Sequence, residues 1–101
     1  MYMWVVYLLQ NNCTNELYFG ITKNLRARIA QHNRGGHKYT TRQNSRWILI
    51  YAEAYRSKAD ALERERKLKH HGSGKHELLK RVQKSLLGIP KLGLDAATDL
   101  K

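Results

Sequence analysis

The residues best suited to chemistry begin with an arginine and a histidine on one predicted helix. Arg28 and His32 share a helical face with Leu25 and Ile29, because the four positions follow the i, i+3, i+4, i+7 spacing. One interpretation places Arg28 at the margin of the buried face, with its stem packed and its charge in water. The other holds its guanidinium by packing and directs its planar set of donors at a phosphate.

A glutamate on another predicted helix is the second candidate. Glu65 shares the apolar face of Ala61, Leu62 and Leu68. An unpaired buried carboxylate is costly, so Glu65 needs a partner, either Arg28 in a structural ion pair or a divalent cation. The sequence has only eight Asp and Glu residues, which argues against a two-metal site but permits one Mg²⁺ with Glu65 as its only protein carboxylate.

Two tyrosines complete the candidate site. Tyr7 and Tyr18 lie in neighbouring apolar runs that predict paired strands. They are interpreted either as core aromatics or as hydroxyl groups that need water, a carboxylate or a ligand as a partner.

Net charge indicates the class of partner. The sequence carries 19 Lys and Arg against eight Asp and Glu, a net charge of +11, which favours a polyanion such as nucleic acid. Residues 22–46 contain seven Lys and Arg and no acid. We expect DNA contacts from the basic residues Lys23, Arg26, Arg34, Lys38, Arg42 and Arg46. The alternative is a basic surface that serves solubility or nonspecific contact.

Cysteine usage and the amino-terminal segment bear on location. Cys13 alone excludes an internal disulfide and predicts an exposed thiol in a reducing compartment. With one cysteine and no CxxC pair, His70, His71 and His76 are assigned to the basic surface rather than to a zinc site. The apolar run over residues 1–9 is too short to span a bilayer and lacks a basic n-region. We therefore expect a cytoplasmic protein without membrane association.

The elements that must position these residues form one small domain. The patterns predict strands over 3–10, 16–21 and 47–55, and helices over 25–33, 58–71 and 75–87. The first strand is apolar on both faces and is expected at the centre of the sheet, and the third is expected to be buried. The fold class is α+β, a three-stranded mostly antiparallel sheet flanked by three helices in the order β-β-α-β-α-α. We expect a domain over 1–88 and a loosely ordered tail over 89–101.

Four motifs occur in order along this framework. They are Val5-Val6-Tyr7, Tyr18-Phe19-Gly20 ten residues later, the helix NLRARIAQH with Arg28 and His32, and ALERERKLK with Glu65. Together they resemble the GIY-YIG nuclease superfamily, in particular its short single-domain bacterial branch. The resemblance covers roughly residues 4–84.

That resemblance implies metal-dependent hydrolysis of DNA phosphodiester bonds, with structure-selective cleavage in repair or recombination as one role. Glu65 would hold one Mg²⁺ or Mn²⁺, and Arg28 would stabilise the pentavalent phosphate. Tyr7 would activate or position the attacking water, and Tyr18 and His32 would complete the pocket. A tyrosine with its ordinary pKa near 10 is a poor base at neutral pH, so Tyr7 would need Arg28 or the metal to lower its pKa.

Some positions depart from the family pattern. Val5 replaces the usual glycine, Phe19 the usual isoleucine, and Ile21 stands where some repair nucleases carry lysine. No asparagine follows the second helix, although longer members use one in their site. The alternative function is a nucleic-acid-binding module of the same fold with little or no catalysis, although an inward carboxylate at Glu65 favours the enzyme. No small-molecule cofactor is expected, and a protein partner is left open.

Overall fold

The computed structural model describes residues 2–34, 45–70 and 73–90. Six elements follow one another: β1 (Trp4–Asn11), β2 (Leu17–Thr22), α1 (Leu25–Asn33), β3 (Trp47–Tyr55), α2 (Lys58–Lys69) and α3 (Ser73–Arg81). The predicted α+β class and element order are confirmed. The predicted DNA contacts Lys38 and Arg42, His71 and tail residues 91–101 lie outside the described residues.

The three strands form one antiparallel sheet with the order β2-β1-β3. β1 is central, as its apolar residues on both faces predicted. The turn between β1 and β2 depends on Asn11, whose side-chain Oδ1 accepts hydrogen bonds from the backbone N–H groups of Cys13 and Thr14. Asn15 adopts a positive φ of 63° in the same turn. Cys13 is a free thiol, and it is half-buried rather than exposed as expected.

Helices cover both faces of the sheet. On one face, α1 contributes Leu25 and Ile29 to a cluster with Tyr7, Leu9 and Trp47. On the other, Ala61 and Leu68 of α2, Leu78 of α3 and Val82 just after α3 pack against the strand residues Val6, Leu8 and Phe19. We call these the α1 face and the α2 face. Both candidate tyrosines of the strands, Tyr7 and Tyr18, therefore belong to the core on the α1 face.

A β-bulge in β3 changes which residues face α1. Leu8 pairs with Tyr51, but Leu9 pairs with Leu49, so Ile50 is the extra residue. Regular alternation from Tyr51 would place Trp47 on the α2 face. Because of the bulge, Trp47 instead pairs with Asn11 and packs with Tyr7.

Two burial predictions are wrong. The third strand was expected to be buried, but β3 is an edge strand, and Ile48 and Leu49 are 38% and 40% exposed. An apolar run of this length does not reveal whether a strand is central or at an edge. Leu62 was assigned to the apolar face of α2 but is 44% exposed, because Ala61 and Leu68 provide the buried contact.

The end of α3 also differs from the prediction. The helix ends at Arg81 rather than near residue 87, and α2 ends at Lys69 rather than at residue 71. The chain after α3 is bound to the sheet by Gln10, a fully buried side chain of β1. Gln10 Oε1 accepts a hydrogen bond from the Leu87 N–H at 2.7 Å, and its Nε2 donates to the Gly88 carbonyl at 3.3 Å. The Gln10 side chain thus binds the backbone of this segment, which was predicted to form the last turn of the helix.

Candidate active site

The position of the first tyrosine depends on the glycine opposite it. Tyr7 pairs with Gly20 across β1 and β2. A Cβ at Gly20 would lie 2.5 Å from Tyr7 Cζ and nearer still to its hydroxyl oxygen. The Tyr7 ring therefore occupies the space that the missing side chain leaves. The missing side chain allows the hydroxyl to lie over β2, an edge strand.

Two aromatic rings and one imidazole lie around the Tyr7 side chain. Tyr7 Oη and His32 Nε2 are 3.3 Å apart. The Tyr18 ring centroid is 4.5 Å from that of His32 in an edge-on arrangement, and 6.2 Å from that of Tyr7. Trp47 lies 6.3 Å from Tyr18 and 6.2 Å from His32. Tyr7, Tyr18 and His32 thus come together, as the sequence predicted.

An asparagine at the end of α1 fixes the helix to β3. Asn33 Nδ2 donates to the Trp47 carbonyl at 3.2 Å, and Asn33 Oδ1 accepts from the Trp47 N–H at 2.7 Å. Because Asn33 follows His32, this pair of hydrogen bonds holds the imidazole against the strands. At its other end, α1 begins at Asn24, whose Oδ1 accepts from the Ala27 N–H. The predicted helix range 25–33 agrees with α1, whereas no sequence pattern indicated the role of Asn33.

Arg28 lies beside the Tyr7 hydroxyl. Its positive charge and a side-chain hydrogen bond both lower the pKa of Tyr7, in the expected direction. Burial opposes this effect, as does the neighbouring Tyr18, and together they raise the pKa of Tyr7 to about 12. The net lowering expected from Arg28 is therefore not found. At neutral pH the phenol keeps its proton and is a hydrogen-bond donor.

Glu65, on α2, acts on the same tyrosine at longer range. Its negative charge is one of the causes that raise the pKa of Tyr7, so the carboxylate is within electrostatic reach of the pocket. The Glu65 side chain is 16% exposed, and its Oε2 lies 3.1 Å from Lys69 Nζ. Lys69 was not among the two partners considered for Glu65. The i, i+4 spacing of Glu and Lys on one helix is the signal that could have identified it.

A cavity adjoins this ion pair. It has a volume of about 270 Å³ and is lined by Leu17, Tyr18, Phe19 and Lys69. On the opposite side of Phe19, Lys75 Nζ lies 5.7 Å from the ring centroid. The carboxyl-terminal end of α2 and the start of α3 therefore surround the start of β2 with positive charge.

The donor set fits a cation that takes most of its ligands from outside the protein. Within residues 2–34, 45–70 and 73–90, no three His, Cys, Asp or Glu side chains are grouped closely enough to hold a metal ion. Glu65 offers carboxylate oxygens, the ligand type that Mg²⁺ and Mn²⁺ prefer. Its present partner is the Lys69 ammonium, a partly exposed cation of the kind that pairs weakly at surfaces. A divalent ion could replace that ammonium.

The predicted DNA contacts that the structure describes are exposed. Lys23, Arg26 and Arg34 belong to α1 or its flanks, and Arg46 directly precedes β3. Arg46 is placed by its backbone, whose N–H donates to Asn12 Oδ1 at 2.8 Å. In the described part of the chain, none of the four has a carboxylate within 4 Å. Their charge is available to an external anion.

Fold and site define a small α+β domain in which two strand tyrosines lie beside an arginine and a histidine of one helix, with a glutamate of another helix within electrostatic range. The family model described as the GIY-YIG catalytic domain matches residues 3–77. The chain belongs to this family of nucleases, as the four motifs indicated.

Individual relatives match the chain over a shorter stretch. It is 46% identical over 56 residues to a UPF0213 protein of Staphylococcus haemolyticus (strain JCSC1435), which covers 54% of this chain and 67% of that protein. It is 44% identical over 54 residues to a UPF0213 protein of Staphylococcus aureus (strain Mu3), covering 52% and 65% respectively. No solved structure gives a significant match. Among the helices described, none is both long and apolar enough to cross a bilayer.

Proposed function

We propose that this protein is a DNA endonuclease that hydrolyses phosphodiester bonds with one divalent cation, Mg²⁺ or Mn²⁺. The observation that supports the proposal is the contact of Tyr7 with Tyr18, Arg28 and His32, with Glu65 within electrostatic range of the same tyrosine. These five side chains come from β1, β2, α1 and α2. Neither core needs a glutamate, an arginine and a histidine around one tyrosine hydroxyl, whereas a phosphate and an attacking water do.

The protein's own residues suggest a division of labour. The Arg28 guanidinium can donate two hydrogen bonds to the phosphate and stabilise the charge that develops in its transition state. Tyr7 positions the attacking water, because a phenol with a pKa of about 12 does not accept the water's proton at neutral pH. His32, hydrogen-bonded to Tyr7, is the base, since imidazole exchanges protons near neutral pH. The water oxygen bonds to phosphorus as the ester P–O bond breaks, His32 takes the water's proton, and the departing oxygen takes a proton from solvent.

Glu65 would hold the cation. A bound divalent ion supplies Lewis acidity at the phosphate oxygens and stabilises their negative charge. Lys69, released from Glu65, would face the cavity beside Tyr18, where a phosphate could contact it. DNA contacts through Lys23, Arg26, Arg34 and Arg46, together with Lys38 and Arg42, complete the proposed interface.

A cleavage panel tests the proposal. Plasmid, single-stranded, flapped and branched DNA are incubated with Mg²⁺ or Mn²⁺, beside EDTA controls. We expect metal-dependent strand breaks, and a loss of at least about 100-fold in kcat for Glu65→Gln and Arg28→Ala, the size found when a transition-state contact is removed. DNA affinity in EDTA should stay near that of the unmodified protein for Glu65→Gln.

Matched variants separate local from general effects. Glu63→Gln removes the same charge from the same helix, where Glu63 pairs with Arg66 and Lys67 outside the pocket, and it should cleave normally. Cleavage that persists in both Glu65→Gln and Arg28→Ala would contradict the proposal. Steeply salt-dependent binding without strand breaks at any metal concentration would instead establish the alternative, a binding module of the same fold.

A further inference from the structure

A second cluster of aromatic and basic side chains lies at the other end of the β2 edge. Lys23 Nζ is 5.8 Å from the ring centroid of Tyr2 and 5.2 Å from that of Trp4. Lys58 Nζ lies 4.9 Å from the Trp4 centroid. Trp4 packs against the α2 face and is half-buried, whereas Tyr2 is 77% exposed. We call Tyr2, Trp4, Lys23 and Lys58 the aromatic platform.

The positive charges of the aromatic platform favour the binding of an anion. Two ammonium groups share one indole ring, and in the described residues neither Lys23 nor Lys58 has a carboxylate within 4 Å. Each lysine gains from the ring, but the like charges repel each other. Lys58 is also the first residue of α2, where the helix dipole adds positive potential. A phosphate between the two lysines would relieve the repulsion.

An exposed ring beside two cations matches one class of ligand. Proteins bind single-stranded nucleic acid by stacking bases on aromatic rings while basic residues follow the backbone. A duplex keeps its bases stacked on each other, so it offers no free base to Tyr2. The pairing of ring and charge thus favours unpaired nucleotides over a duplex.

The platform and the pocket lie near the same edge of the sheet. Trp4 belongs to the α2 face and Tyr7 to the α1 face, three residues apart on β1, which is about 10 Å of strand. β2 is the edge strand beside β1, Lys23 directly follows it, and the Tyr7 hydroxyl lies over it. A DNA strand that passes along this edge would therefore reach both sites.

We propose that the aromatic platform binds an unpaired stretch of DNA next to the phosphate in the pocket. Tyr2 stacks on a base, with Trp4 holding Lys23 and Lys58 in place for the flanking phosphates. The proposal rests on the proposed function only in naming DNA as the ligand. It makes the substrate a DNA with a single-stranded segment beside the cleavage point, such as a flap.

Binding in EDTA tests the platform separately from catalysis. The probes are fluorescein-labelled oligothymidylate and a duplex of the same length, followed by fluorescence anisotropy. We expect Tyr2→Ala to weaken binding of oligothymidylate about tenfold, the effect of losing one stacked base, and to leave duplex binding near its original value. Lys58→Ala should also weaken binding. Lys67→Ala, which removes a lysine of the same helix that pairs with Glu63, should not.

Tryptophan emission gives an independent measurement. Oligothymidylate should quench the fluorescence of the unmodified protein, and Trp4→Leu should remove that quenching although Trp47 remains. Because Tyr2 is exposed, Tyr2→Ala is expected to keep the fold, and circular dichroism checks both variants. Unchanged oligothymidylate affinity in Tyr2→Ala and Lys58→Ala, with plasmid cleavage intact, would overturn the platform alone. Tyr2-dependent binding without any cleavage would support the platform and overturn the proposed function.

Discussion

Single residues of the pocket were predictable where a pattern forced them inward. Arg28 and His32 shared a helical face with Leu25 and Ile29, and Glu65 interrupted an apolar face, so each stood out. Asn33 did not, because one asparagine at a helix end gives no sign that its partner is a strand fourteen residues later. The pKa of Tyr7 was also beyond sequence reasoning, since it depends on how burial and Arg28 balance in three dimensions.

The raised pKa of Tyr7 predicts a pH dependence of stability. The folded state holds the phenolic proton with a pKa of about 12, against 10.0 in a model phenol. Between these values the unfolded chain releases the proton first, so the free energy of unfolding should fall as pH rises from 10 to 12, by at most about 3 kcal/mol. Below pH 10 this contribution should not change.

Urea titrations at several pH values, followed by tryptophan fluorescence, measure this fall. Tyr7→Phe should show a shallower decline than the unmodified protein, and taking the difference cancels Tyr51 and Tyr55, whose pKa values are also raised. Tyr2→Phe, at an exposed tyrosine, is the matched control and should decline like the original chain. An equally steep decline in Tyr7→Phe would show that its hydroxyl does not hold the proton as described.

At the scale of elements, the sequence predicted which helices and strands exist better than it predicted their boundaries. α1 and β3 have the predicted bounds, because Asn24 begins the helix and an aromatic run defines the strand. α3 is shorter than its apolar pattern suggested, because Gln10 binds the following backbone at Leu87 and Gly88. Contacts between distant residues decided this end, and a local pattern cannot contain them.

The junction of α1 and β3 gives a second prediction. Asn33→Ala removes two hydrogen bonds to the Trp47 backbone and should lower the free energy of unfolding by about 1 to 3 kcal/mol. It should also lower kcat, because His32 loses its adjacent anchor, whereas the KM for DNA should change little. Gln31→Ala, at an exposed position of the same helix, should alter neither.

Denaturant unfolding and steady-state cleavage check the two effects separately. A stable Asn33→Ala protein with unchanged kcat would show that the junction does not position the imidazole. A loss of stability with a proportionate loss of folded protein, but normal kcat per folded molecule, would assign Asn33 to the fold alone.

For the molecule as a whole, composition predicted a single α+β domain and a polyanionic partner, and the order of the motifs predicted the family. The distribution of charge required the structure. Lysines and arginines of α2 are partly neutralised by Glu63 and Glu65, whereas those beside α1 are not. Of the net charge of +11, the share near α1 is therefore the part most open to an external polyanion.

The salt dependence of duplex affinity measures how many of the charges near α1 contact DNA. The logarithm of duplex affinity should fall linearly with the logarithm of salt concentration, by about 0.9 for each phosphate that is neutralised. Arg26→Ala and Arg34→Ala should each flatten the slope by about 0.9. Lys67→Ala should leave it unchanged, because that lysine already pairs with Glu63. Equal slopes in all three variants would place the DNA elsewhere on the surface.

The bulge at Ile50 changes which face of the sheet the odd-numbered residues of β3 occupy. Before it, the odd-numbered Trp47 and Leu49 turn toward α1, whereas after it the odd-numbered Tyr51 and Glu53 turn toward α2. One strand thereby supplies both the aromatic wall beside His32 and the carboxylate that pairs with Arg64. The face on which a β3 side chain lies therefore depends on the bulge as well as on the type of residue. Regular pairing of all nine residues of β3 would instead turn Trp47 and Leu49 toward α2, away from His32.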